Sequence, residues 1–129
     1  MIRNVSSRDA KAIVDIYNEY VVNSVATFET EPLRVEEMEG RIAGISASYP
    51  YLVYVDQDEV VGYCYAHTWK EKAAYKYTIA CITEGNEASY SLHEKLGFRK
   101  VSHFEKVGLK FGRWLDVVDY ELIIKPNER

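Results

Sequence analysis

Ile82-Thr83-Glu84-Gly85-Asn86-Glu87-Ala88-Ser89-Tyr90-Ser91-Leu92-His93-Glu94-Lys95-Leu96-Gly97-Phe98 is the stretch whose reading decides the fold. The apolar run Thr78 to Thr83 enters it as a strand, Glu84-Gly85 turns the chain, and Asn86 stands where a helix N-cap is wanted. Ala88, Leu92 and Leu96 then recur at four-residue spacing, which predicts a helix with one apolar face. Gly97 supplies a left-handed residue just past the last turn, and Phe98 can pack back on the helix as the next strand begins. The unit reads as strand, turn, helix. It brings an Asn side chain and unpaired helix N–H groups to the carboxyl end of a strand, where open α/β sheets bind ligands.

Upstream, Ile2 to Val5 reads as a short strand and Ser6-Ser7-Arg8-Asp9 as a helix start with an acid in its first turn. Ile13, Ile16, Tyr17, Tyr20 and Val21 form one apolar stripe, and Val35, Met38, Ile42 and Ile45 a second one that Pro50 closes. Tyr51 to Val55 and Val60 to His67 are strands, and the short polar connection Asp56-Gln57-Asp58-Glu59 makes them an antiparallel hairpin. Gly62 inside the second strand suggests close backbone approach. Trp69 to Ala74 reads as a loop and Tyr75 to Thr83 as a strand. Beyond the central helix, Arg99 to Val107 and Leu115 to Ile124 are strands, antiparallel across a Gly108 to Arg113 loop. Asp119 and Glu121 break the last apolar run, which suggests an edge or a wet face.

At 129 residues, with 47% hydrophobic and 28% charged residues, the chain is large enough for one domain with its own core. A net charge of −4 without any Lys/Arg run argues against a nucleic-acid partner. No apolar run approaches the roughly 18 residues of a membrane span, so a cytoplasmic location is expected. Cys64 and Cys81 each lie in an apolar strand-like run without a second Cys nearby, and read as small core residues of a reduced compartment. His67, His93 and His103 do not fall at metal-ligand spacing, so no metal is expected. The 11 tyrosines suit half-buried strands, a cleft or an interface.

Asn86-Glu87-Ala88-Ser89 with Leu92-His93-Glu94 and Gly97-Phe98 resembles the last motif of the GNAT superfamily of N-acetyltransferases. Several further stretches resemble its phosphinothricin and methionine-sulfoximine acetyltransferase branch. They are Ala26-Thr27-Phe28-Glu29, Tyr49-Pro50-Tyr51-Leu52-Val53, Val61-Gly62-Tyr63 with Trp69-Lys70, and Val107-Gly108-Leu109-Lys110-Phe111-Gly112-Arg113-Trp114-Leu115-Asp116. The resemblance implies an α/β (α+β) fold with a mixed, mostly antiparallel sheet flanked by helices. It also implies acetyl transfer from acetyl-CoA to the amine of a small amino-acid-like substrate, and a homodimer or strand-exchanged oligomer.

One piece of that pattern is not found. Members carry a glycine-rich turn of Arg/Gln-x-x-Gly-x-Gly/Ala type after a central strand, whose backbone N–H groups and following helix cradle a pyrophosphate. None of the seven glycines stands in such a turn. By resemblance, Tyr75-Lys76-Tyr77-Thr78 matches the start of the central strand and Ile79 to Thr83 the end of the following one. A strand-helix unit of roughly 30 residues or more is therefore expected to be lacking at Thr78-Ile79, together with a candidate general base.

His93 stands where the superfamily usually has a Tyr acid, and an imidazole can protonate a leaving thiolate near neutral pH. The alternative is a locally bonded helix histidine. The resemblance makes Asn86 and Ser89 cofactor contacts, and Asn86 has an N-cap role in any case. Phe28 and Glu29 are candidates to line a substrate cleft and attract an amine, against a core plug with a solvated acid. Trp69, Lys70, Glu71 and Lys72 are substrate candidates by resemblance. Lys110 and Arg113, flanking Gly112, are candidates to grip an anionic group from a glycine-hinged loop. Two functions of different class follow: an N-acetyltransferase, or a catalytically silent binding or dimerisation module of the same fold.

Overall fold

The computed structural model describes residues 1–70 and 77–124. They divide into two compact units: Met1–Ser24 with Glu29–Thr68, and Val25–Phe28 with the chain from Trp69 onward.

The first unit opens with β1 (Ile2–Asn4), a 3-10 turn (Ser7–Asp9) and α1 (Ala10–Asn23). The start of this helical run is fixed by charge. Asp9 is buried, its Oδ2 accepts from the Ser6 backbone N–H at 2.7 Å, and both of its oxygens take the fork of Arg3 at 2.7 and 2.8 Å. Then come α2 (Val35–Ser46), β2 (Tyr51–Asp56) and β3 (Glu59–Tyr65). Asn18 of α1 clamps the backbone of Leu33 with two 2.8 Å hydrogen bonds, one from its amide to the carbonyl and one accepted from the N–H. The lead-in to α2 is thereby set.

The sheet of this unit runs β1-β2-β3, antiparallel throughout. Gln57 and Asp58 both adopt positive φ, as a two-residue hairpin turn requires, so the polar connection reads as expected. Ile13, Val14, Met38, Ile42, Tyr51 and Val53 form the core between the helices and the sheet. Tyr20, assigned to the apolar stripe of α1, is instead exposed at the end of the helix. Among the described residues a Cβ on Gly62 would meet nothing within 4 Å; the glycine sits beside the register shift that bulges the strand.

The second unit holds β4 (Tyr77–Thr83), α3 (Glu87–Lys95), β5 (Arg99–Lys110) and β6 (Arg113–Ile123). The predicted strand, turn and helix are observed. Gly97 has φ +89, its N–H donates to the Glu94 carbonyl, and the Phe98 N–H donates to the His93 carbonyl, both at 3.0 Å. That is a glycine-terminated helix end with its hydrophobic contact, since Phe98 also meets the His93 ring edge-on.

The apolar face of α3 differs from the expected one. Leu92 is 55% and Leu96 60% exposed, and Ala88 is exposed as well, whereas Tyr90 and Phe98 pack on the cluster of Ile82, Val118 and Tyr120. Periodicity marks the stripe correctly, but within this unit a different set of side chains meets the sheet.

The sheet order here is β4-β6-β5, all antiparallel. The last strand is thus the middle one. Asp119 and Glu121 do not mark an edge: Asp119 accepts from the Ser102 hydroxyl and Glu121 from Arg99. From Val117 to Glu121 both edges of β6 are paired.

The β5 and β6 strands reach further than predicted and turn on two residues, Phe111 and Gly112, both at positive φ. A tight turn replaces the expected glycine-hinged loop. Cys64 and Cys81 are exposed instead of buried. Strand alternation explains it, because each points to the side of its sheet opposite the core residues that flank it. The Cys81 thiol nonetheless is pushed up to about 11, by partial desolvation first and by Asp119 beside it.

Candidate active site

Three of the predicted site residues meet on α3. The Asn86 side-chain oxygen accepts from the Ser89 N–H at 3.1 Å, and the Ser89 carbonyl lies 2.7 Å from His93 Nδ1. With Nδ1 donating to that carbonyl, Nε2 of the neutral ring carries the lone pair, and in the charged ring it carries a second proton. The imidazole is wedged between Phe98, 5.1 Å away and edge-on, and Tyr120 at 6.4 Å. The Tyr120 hydroxyl is itself held by Glu94 at 3.0 Å. Helix, cap and aromatic bracket thus fix one ring orientation.

The other candidates form separate groups. In the second unit the Phe28 ring lies on Gly108, where a Cβ would sit 2.4 Å from two of its carbons. This close approach explains a glycine inside a strand. Lys110 is only 3% exposed, and its Nζ donates to the Thr27 carbonyl at 2.8 Å. Desolvation lowers its pKa. It therefore anchors the 25–28 segment and is no surface cation for an anionic substrate, which corrects that expectation. Arg113 stands exposed opposite Lys110 across the turn. Trp69 and Lys70 lie together, with the ammonium 4.5 Å from the ring centroid. Glu71 and Lys72 fall outside the described residues.

In the first unit Glu29 is bonded by the Arg41 guanidinium through both of its oxygens, at 3.1 Å from Nη1, and by the Tyr17 hydroxyl. Arg41 first, and then Tyr17 against opposing desolvation, hold its carboxyl below the usual range. Neither partner was marked by sequence reading. Tyr17 was assigned to a core stripe, and Arg41 sits twelve residues from Glu29 on another element. Beside them Tyr17, Met38, Arg41, Ile45, Tyr51, Tyr63 and Tyr65 line a shallow depression that opens to solvent. Burial pushes the Tyr51 hydroxyl up to about 12 and raises that of Tyr63, so both are neutral donors at physiological pH.

His103 and Asp116 form a further pair unmarked by the sequence, at 2.6 Å. Asp116 also accepts from the Lys106 N–H, and Lys106 adopts φ +52 in a bulge where β5 carries two residues in excess. Among the described residues no group of His, Cys, Asp or Glu is arranged to hold a metal, and no helix is long and apolar enough to cross a membrane.

Among the described helices, only α3 opens from a strand through a glycine turn, so only it offers the backbone setting of a pyrophosphate cradle. Its chemistry does not fit one. The Ser89 N–H is taken by Asn86, Glu87 lies in the first turn, and Glu84 stands just before it. Burial first, against a backbone hydrogen bond at Gly85, and then the negative field of Glu87, Glu84 and Asp116 raise the pKa of the Tyr90 hydroxyl. An acetyl-CoA pyrophosphate would meet repulsion there.

The described residues form a mixed α/β fold in which α3 opens on a capping Asn, carries a histidine two turns on, and joins β4 to β5 on either side of β6. The model of the acetyltransferase (GNAT) domain family matches residues 2–79, more than half of the chain, and the chain belongs to that family. A phosphinothricin N-acetyltransferase of Alcaligenes faecalis is 30% identical over 91% of this chain and 79% of its own length. An L-methionine sulfoximine/L-methionine sulfone acetyltransferase of Pseudomonas paraeruginosa is 28% identical over 98% and 95%. The crystal structure of a phosphinothricin acetyltransferase from Sinorhizobium meliloti in complex with AcCoA superposes with a TM-score of 0.90, at 28% identity, over 99% of this chain and 93% of that one. The two sequence alignments run over 155 and 164 positions against a chain of 129 residues, so at least 26 and 35 of them stand opposite no residue here.

Proposed function

We propose that the chain is a cytoplasmic N-acetyltransferase that moves an acetyl group from acetyl-CoA to the amine of a small amino-acid-like substrate of the phosphinothricin or methionine sulfoximine type. The observation that carries this reading is the similarity, across nearly the whole chain, to enzymes named for those substrates. His93 is the proton-handling group, with Nδ1 committed to the Ser89 carbonyl and Nε2 turned to the chemistry. Asn86 and Ser89 order the helix that presents it. Phe28, Glu29, Trp69, Lys70, Glu71, Lys72 and Arg113 remain the substrate-side candidates. For Glu29 the role requires an amine to share a carboxylate that Arg41 already holds.

The donor end is weak in this chain. The family model stops matching at residue 79, one residue past the junction where the sequence reading placed a lost strand-helix unit, and the alignments exceed the chain by about the length of such a unit. Together with the acidic opening of α3, this supports an acetyltransferase that lacks its phosphate cradle. Losing about three charge-assisted hydrogen bonds, at about 1.5 kcal/mol each, weakens donor binding on the order of 10³-fold. The second reading, a catalytically silent module of the same fold, is favoured by the same features.

The test is coenzyme A release with each candidate amine at high acetyl-CoA. Slow release that needs phosphinothricin or methionine sulfoximine, and not a simple alkylamine, is expected. Release at the uncatalysed rate with every amine replaces this reading by the silent module.

A further inference from the structure

A phenol withdrawn from bulk water without a good acceptor calls for a partner from outside the protein. The first unit holds two of them on the helix-facing side of β2 and β3, where Tyr51 belongs to the core and Tyr63 packs against it. Tyr51 is 3% exposed, and its hydroxyl meets only the Met38 sulfur, at 4.0 Å, a weak acceptor at long range. Tyr63 is half-buried, and its hydroxyl has no hydrogen-bond partner among the described residues. No buried side-chain oxygen or nitrogen among them is sealed off without a partner, so the Tyr63 hydroxyl reaches the depression that its side chain lines. Tyr65, two residues on along the same strand and paired with Tyr51, lies 4.9 Å from the Tyr51 ring and lines it as well.

Arg41 of α2 closes the group. It spends one N–H of each terminal nitrogen on Glu29, and a guanidinium carries five, so the pair does not exhaust it. Burial first, and then the neighbouring phenols, keep Tyr51 and Tyr63 protonated at neutral pH, so each has a proton to donate. The lining contains no Asp, Glu, Asn or Gln, and the remaining side chains, Met38 and Ile45 among them, are apolar or aromatic. Donors thus converge where the protein supplies almost no acceptor.

We infer that this depression is a carboxylate subsite, in which Arg41 and the Tyr51 and Tyr63 hydroxyls bind the two oxygens of the substrate's α-carboxylate. The choice of occupant rests on the amino-acid substrate of the proposed function; the convergence of donors does not. A shallow site suits one planar, two-oxygen end of a ligand, which also matches the edge of a guanidinium. Because Glu29 already balances the Arg41 charge, the attraction is short-range hydrogen bonding and the dissociation constant is on the order of millimolar. Water is the competing occupant.

The test is NMR of the full chain carrying ring-labelled tyrosine, with the two signals assigned from Tyr51→Phe and Tyr63→Phe. L-Methionine sulfoximine, titrated to about 50 mM, should move both signals saturably, and its carboxamide, which keeps the amine and the side group, should bind about tenfold more weakly. Tyr63→Phe removes a hydroxyl that bonds to nothing in the protein. It should leave the unfolding midpoint in place and weaken the carboxylate about tenfold, read at the Tyr51 signal. Signals that stay still, equal binding of acid and carboxamide, or a Tyr63→Phe affinity equal to the parent's would each overturn the inference and leave water as the occupant. Coenzyme A release separates this result from the proposed function. Release at the uncatalysed rate with the shifts retained supports the subsite and removes the acetyltransferase reading, whereas amine-dependent release with both signals unmoved does the reverse.

Discussion

Replacing Asp9 by Asn removes the charge that fixes the start of the first unit's helical run while keeping the shape of the side chain. Arg3 above all, and then Ser6, hold the Asp9 carboxyl down from 3.8 to about 2, against the cost of burial. The side chain is 7% exposed, so solvent screening is small, whereas Arg3 at 38% can rehydrate once its partner is neutral. A carboxyl moved that far contributes about 2 kcal/mol at neutral pH. Because the folded-state value is the depressed one, that contribution is complete above the unfolded value near 4 and is lost as the pH falls through 2. Urea unfolding followed by tyrosine fluorescence should therefore show Asp9→Asn about 2 kcal/mol less stable at pH 7, a midpoint shift of about 1 M. Between pH 5 and 2 the parent should lose stability more steeply than the variant, and the two curves should converge. A variant within about 0.5 kcal/mol of the parent at pH 7, or one with the same acid slope, would refute the reasoning.

Gly108→Ala forces the Phe28 ring off its seat and should cost about 1–3 kcal/mol. Combining it with Phe28→Ala should recover part of that loss, and strict additivity in a double-mutant cycle would show that the two residues do not touch. His93→Phe should lower the acetyl-transfer rate by about 10²-fold or more while leaving the unfolding midpoint nearly in place, since the new ring still fills the Phe98–Tyr120 bracket. An unchanged rate removes His93 from the chemistry.

Local rules made much of this molecule legible. The Asn86 cap, the Gly97-Phe98 helix end and the Gln57-Asp58 hairpin are each decided by residues within a few positions of one another, so the sequence contains the whole cause. Asn86, Ser89 and His93 were marked by the family resemblance, and the helix then brings them together through the Asn86–Ser89 and Ser89–His93 hydrogen bonds. What stayed hidden depends on distant partners. The stripe of Ala88, Leu92 and Leu96 is real as a pattern, but whether it is covered depends on what stands beside it. Lys110 reads as a surface cation until the Thr27 carbonyl is found at its end. Glu29 reads as a solvated acid or an amine trap until Arg41 is found across it. Strand ends were misjudged at Lys110 to Arg113, where a turn of Phe111 and Gly112 does not look like one because Phe seldom takes positive φ.

The account's central claim is an acetyltransferase fold whose donor phosphates lack a cradle, and the dependence of transfer rate on acetyl-CoA tests it most directly. With phosphinothricin or methionine sulfoximine saturating, the initial rate of coenzyme A release should rise linearly with acetyl-CoA into the millimolar range, without a plateau. A plateau at micromolar acetyl-CoA would contradict the account, because it would require a phosphate site that the acidic opening of α3 does not provide.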